Sequence, residues 1–216
     1  MSDNEKNADK LKERISSILV DLVTDIPESL YTPSQDSDER VKRLIWNAAG
    51  KAATVSATLS VPAGVTGVLT SIPDIAAVWR IQAQLVSDIA ATYGKFALLS
   101  REAMIWCLFR HSAAQLVRDV VVRTGSRIIV QKLSVAAIET LLKKIGIKVS
   151  TRFIGKVAMH AIPAIGALGN GAYTLYDTYE VGKTAKSYFK ALADNPKAET
   201  LAEEADIIAE NTENQV

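Results

Sequence analysis

Apolar residues in this chain recur at steps of three and four in one segment after another, and no run sustains an alternation of period two. That spacing predicts helices and little else. Leu11, Ile15, Ile18, Leu19, Leu22, Val23 and Ile26 form the first series, with Ser2 and Glu5 at capping-box spacing before it and Pro27 closing it. Past the polar stretch ESLYTPSQDSDER, Asp36 and Glu39 can cap a second helix carrying Val41, Leu44, Ile45, Ala48, Ala49 and Ala52. It should falter at Pro62, Gly64 and Gly67. Ser71, Pro73 and Asp74 then open a third helix, which Gly94 stops. Ser100 starts a fourth, expected to pass Trp106, Phe109 and Leu116 and end near Gly125. A fifth runs from Ser134 to Ile145, closed by Gly146. From Val149 to about Leu192 the pattern is helical again, broken near Pro163. DVVVRTG and SRIIVQ are rich in β-branched residues and IIV could be a short strand, but their neighbours are helical and buried helix is the preferred reading.

The expected fold is therefore all-α: a compact multi-helix bundle with apolar helices interrupted by Gly and Pro. Residues 1–192 form the domain, and 193–216 an acidic, disordered tail. With 48% apolar residues the chain can bury a sizeable core. The lone Cys107 cannot form an internal disulfide, and the charged N-terminus has no apolar signal core; a cytoplasmic setting is expected.

A net charge of +1 conceals an asymmetry. Residues 191–216 hold seven acidic residues and one Lys, a net −6. Residues 89–156 hold twelve Lys and Arg against Glu102, Asp119 and Glu139, a net +9. Lys144, Lys148, Arg152 and Lys156 recur every four residues, and form one slowly drifting stripe if the helix continues through Gly146. Arg123 and Arg127 add a second pair. Such an array attracts phosphates. Aromatic residues for base stacking are nearly absent around it, so lipid headgroups are favoured over nucleic acid.

The third helix, SIPDIAAVWRIQAQLVSDIAATYG, carries polar residues among apolar ones. On a helical wheel Ile75, Trp79, Val86, Ile89, Ala90 and Tyr93 share one face. Arg80, Gln84, Ser87 and Asp88 share the opposite one, read as a solvated stripe in which Gln84 can bridge Arg80 and Asp88. Gln82 alone points into the apolar face. It is expected to tie the helix to a broken backbone nearby, such as the Pro62–Gly67 bend; the alternative is a ligand contact in a polar cleft formed by Asp74, Arg80, Gln82, Gln84, Asp88 and Asn170.

No catalytic signature stands. VGKT (Val181–Thr184) has Asp177 where a phosphate-binding loop needs glycine, and GALGNGAYT has Thr174 where a dinucleotide loop needs its third. Close helix packing explains Gly169 and Gly171 better. His111 and His160 have no acidic or histidine neighbour at ligand spacing, so no metal is expected. Cys107 reads as a core thiol; Asp177 and Glu180 could pair for acid–base work, but a helix surface explains them as well. No catalytic, cofactor-binding or metal-binding residues are assigned, and no cofactor is expected. The uncharged stretches 52–73 and 157–176 approach bilayer-spanning length but are sparse in large aliphatic residues. Buried helices packed through small residues are the expectation, with shallow interfacial insertion as the alternative.

Two blocks resemble the EcsC family of bacterial proteins. The first comprises PAGVTG (Pro62–Gly67), IPDI (Ile72–Ile75), Gln82 and DIAATYG (Asp88–Gly94); the second is IPAIGALGNGAYTLYDTYEVGKTAKSYF (Ile162–Phe189). A similar glycine–proline pattern occurs in helical domains attached to some bacterial GTPases. The resemblance implies a mostly helical bacterial protein with no established activity and supplies no catalytic residues. The expected function is a non-enzymatic adaptor at the inner face of the cytoplasmic membrane, touching anionic lipid or a membrane protein and compatible with a homo-oligomer. The alternatives are a small-ligand or enzymatic protein using the polar cleft, and nucleic-acid binding through the basic middle region.

Overall fold

The computed structural model describes residues 3–59, 72–124, 127–157 and 163–195. Among these the chain is an α-helical bundle with one small hairpin. Helix α1 (Asp3–Thr24) buries Ile15, Leu19, Leu22 and Val23, four residues of its predicted stripe. The irregular segment 25–36 then runs to α2 (Ser37–Leu59), whose first turn carries Asp38 and Glu39 against the helix's positive end. Helix α3 (Ile72–Thr92) ends where Gly94 adopts φ +69°. There the Gly94 N–H donates to the Ala91 carbonyl and Lys95 N–H to that of Ala90, at 2.9 and 2.8 Å. A side chain would strain that backbone, so the stop read from Gly94 is physical.

Helix α4 (Arg101–Phe109) is capped by the Ser100 hydroxyl, which accepts from Ala103 N–H at 3.2 Å. It is shorter than expected: it stops at Phe109 rather than near Gly125, and every residue from Glu102 to Phe109 is buried. DVVVRTG and SRIIVQ do not extend the α-helix: Arg118–Val120 makes one 3-10 turn and two strands follow. Val121–Thr124 (β1) pairs antiparallel with Arg127–Val130 (β2), in the register Val121↔Val130 to Thr124↔Arg127. β-Branched residues on both sides of a two-residue Gly–Ser connection favour a hairpin over another helical turn.

Helix α5 (Val135–Val157) passes straight through Gly146, where a stop was expected. A Cβ there would lie 2.7 Å from the Ser16 hydroxyl, so this glycine lets α1 approach α5 instead of ending it. Helix α6 (Pro163–Ala193) completes the bundle. Gly182, the glycine of VGKT, has the same use: a Cβ would stand 2.6 Å from Ile45 Cγ1 on α2.

α2 packs on α6 and α3, and α5 packs on α1. Contacts at Asp38–Lys190, Ile45–Gly182 and Ser56–Thr174 make α2 and α6 antiparallel. Ser37 donates to the Thr92 carbonyl at 3.1 Å, so α3 also runs against α2. Expectations about Ser2, Ser71, the Pro62–Gly67 bend, His160 and the tail from 196 onward fall outside the described residues.

Candidate functional site

Gln82 points inward, as its wheel position predicts, and is 1% exposed. The Pro62–Gly67 bend expected as its partner lies outside the described residues; its described partners are on α6. The amide donates to Asp177 Oδ2 at 2.8 Å and to Thr178 Oγ1 at 3.1 Å, both on α6. Asp177 holds a second element with its other oxygen: His111 Nε2, just beyond α4, stands 2.6 Å from Asp177 Oδ1. A carboxylate only accepts, so Nε2 carries the proton. The acidic partner absent from the neighbourhood of His111 in sequence thus arrives from 66 residues away. Asp177 does not pair with Glu180, which binds Lys183 at 2.9 Å.

One carboxylate therefore joins α3, the α4 exit and α6. Hydrogen bonds to a charged group contribute about 1.5–3 kcal/mol each. His111 Nδ1 is buried and has no partner among the described residues. Histidine and carboxylate are general-base chemistry by composition. The Thr178 hydroxyl is engaged by Gln82, and Cys107 is fully buried, with burial pushing its thiol far up.

Arg80, Gln84 and Asp88 of the predicted cleft do not join this cluster. Arg80 is exposed. Gln84 bridges Asp88 Oδ1 and the Glu28 carbonyl, both at 2.9 Å, rather than Arg80 and Asp88. Ser29 also donates to Asp88 Oδ1, at 2.7 Å. Segment 25–36 thus lies over part of the stripe expected to be solvated, and Ser87 within that stripe is fully buried. The side chains of Asp74 and Asn170 fall outside the described residues.

Of the basic candidates, Lys144 is exposed and Lys148 half-buried on α5. Arg152 and Lys156 belong to the same continuous helix, and Arg123 and Arg127 to the two strands; the side chains of these four are not among the described ones. Two neighbours went unnoticed in the sequence: Lys143 and Ile147 are also exposed, the latter by 49%. α5 rests on α1 by one face and presents these residues on another.

A further cluster gave no sequence signal. Asp38 accepts from Tyr93 OH at 2.5 Å and Lys190 Nζ at 2.9 Å, with Lys186 Nζ at 3.5 Å. The Tyr93 hydrogen bond, then that of Lys190, lowers its carboxyl from 3.8 to about 2, and burial with the same bond raises the Tyr93 hydroxyl. A depressed carboxyl stabilises the fold above its unfolded value and loses that contribution as pH falls through the folded one. Acid unfolding is accordingly expected to include a step between pH 3.8 and about 2. Asp38→Asn should flatten that window in circular dichroism while leaving the slope above pH 5 unchanged; identical acid curves would refute it.

Among the described residues, no group of three or more His, Cys, Asp or Glu is placed to hold a metal ion, and no helix is long and apolar enough to cross a membrane. No protein-family model, curated protein or solved structure matches this chain.

Proposed function

We propose that the protein is a non-enzymatic helical adaptor that docks peripherally on an anionic membrane surface or on a protein within it. The observation that supports this most directly is the outer face of α5, where Lys143, Lys144 and Lys148 surround the exposed Ile147. Each such cation near an anionic leaflet contributes about 1 kcal/mol, and an apolar residue between them adds a foothold. The EcsC resemblance belongs to this reading, as does a place on the inner face of the cytoplasmic membrane. Co-sedimentation with phosphatidylglycerol-containing and pure phosphatidylcholine vesicles tests it. Binding to the first, weakened by salt, is expected; negligible binding to both overturns it. Tight, salt-steep binding to DNA or RNA in place of vesicles would favour the nucleic-acid alternative.

The segment 196–216 carries six acidic residues and one Lys, net −5. Truncation after Asn195 should strengthen binding to anionic vesicles, because that charge repels the leaflet and competes for the lysines. Unchanged or weaker binding would show that the segment does neither.

A second reading, a small-ligand or enzymatic site, draws on the His111–Asp177 pair and the buried Nδ1 beside it. Calorimetry of small carboxylic and phosphate ligands on wild-type and His111→Gln protein separates the two.

A further inference from the structure

Among α2, α3 and α6, the two ends differ sharply in charge. At one end, the first two turns of α2 hold Asp38, Glu39, Arg40, Lys42 and Arg43, and the last turns of α6 hold Lys183, Lys186 and Lys190. At the other, residues 52–59 of α2 and 163–176 of α6 contain no charged residue. α3 starts at this end too, and its first two turns carry only Asp74, placed at the helix's positive pole. α5 ends within reach of it: five residues separate Val157 from Pro163, a span of about 20 Å at most. The basic half of α5 therefore leads toward the uncharged end.

Three described polar side chains at this end are bonded within the protein. Thr54 Oγ1 donates to the Gly50 carbonyl at 2.9 Å, and Thr174 Oγ1 to Ser56 Oγ at 3.0 Å. Groups paired in this way can leave water at low cost. Amphipathic residues on α2 and α6 border the uncharged stretches. Tyr173 and Tyr176 are 45% and 59% exposed on α6. Lys51 is exposed on α2 at their level. One turn higher, Trp46, 58% exposed, packs against Tyr179 with ring centroids 5.2 Å apart. Tyr and Trp beside cations suit the headgroup layer, where one side of each ring meets hydrocarbon and the other water.

We propose that this end of the bundle is the membrane-contacting surface. In this arrangement Tyr173 and Tyr176 lie at the headgroups of an anionic leaflet, Trp46 marks the upper edge, and Lys51 with the α5 lysines meets lipid phosphates. The proposal rests on the peripheral-membrane reading and gives it an orientation. From Pro163 to Tyr173 α6 rises about 15 Å, half the roughly 30 Å hydrocarbon core, so the uncharged helix ends reach one leaflet deep without crossing.

The test uses the full chain with one added cysteine at a time: Tyr173→Cys, Tyr176→Cys, Ile147→Cys or Leu30→Cys, each labelled with an environment-sensitive dye. Cys107 is fully buried and stays unlabelled in the folded protein, which the wild type checks. With vesicles of equal phosphatidylglycerol and phosphatidylcholine, dyes at 173 and 176 are expected to shift blue and to be quenched by brominated acyl chains. The dye at 30 should remain open to aqueous iodide. Replacing both tyrosines by Glu should weaken vesicle binding about tenfold relative to replacing both by Phe. Binding with position 147 buried and positions 173 and 176 in water would overturn the proposed orientation while sparing the peripheral reading. Absence of binding overturns both.

Discussion

Asp177→Ala is expected to lower unfolding stability by roughly 2–4 kcal/mol in urea denaturation, the largest effect of any single polar replacement here. The carboxylate is the common acceptor for His111 Nε2 and Gln82 Nε2, and both donors are shielded from water. Alanine leaves His111 without its acceptor and the Gln82 amide with Thr178 alone among the described residues. Asp177→Asn should cost less, since one amide oxygen still accepts and the imidazole can shift its proton to Nδ1 and accept at Nε2. A double-mutant cycle between His111→Ala and Asp177→Ala should give a coupling of at least about 1 kcal/mol. Additive losses, or an Asp177→Ala cost under about 1 kcal/mol, would mean that water already solvates the cluster and that it does not fasten the helices.

Gly182→Val should be comparably severe, by a different route. The new Cβ would fall 2.6 Å from Ile45 Cγ1 and 3.0 Å from Cγ2, a β-branched side chain itself only 4% exposed. Neither residue can rotate away cheaply, so α2 and α6 must part. Overpacking of this kind costs roughly 1–3 kcal/mol, offset by the few tenths gained on removing glycine from a helix. Ile45→Ala removes the obstructing atoms. The double variant is expected to be more stable than the sum of the two losses by at least about 1 kcal/mol, measured by thermal and urea unfolding. Strict additivity would show that Gly182 is not the contact point.

Helix positions were legible because their signals are local. The α1 stripe, the Ser100 cap and the Gly94 stop each depend on residues a turn apart, and the inward direction of Gln82 follows from one wheel. Where interpretation depended on a distant neighbour, it failed. Gly146 and Gly94 are the same residue type; the approach of Ser16 marks the first as a packing glycine, and a φ of +69° marks the second as a terminating one. The Gln84–Asp88 stripe has the composition of a wet surface, yet segment 25–36 covers part of it. The joining of His111, Gln82 and Asp177 spans 66 and 95 residues and left no trace in local spacing. The hairpin is a different case. Its signal, β-branched residues flanking Gly125–Ser126, was present and was outweighed by helical neighbours.

The pairing of α1 with α5 has a consequence for how the chain is made. α1 is the first helix described and α5 begins roughly 110 residues after it ends. At about 5–20 residues per second, a ribosome takes roughly 6–20 s to supply that partner. During that interval the face of α1 that will receive Gly146 has nothing to close against. Vectorial folding of this bundle therefore cannot run to completion from its first helix; the α1–α5 layer must be sealed late, after the hairpin has emerged.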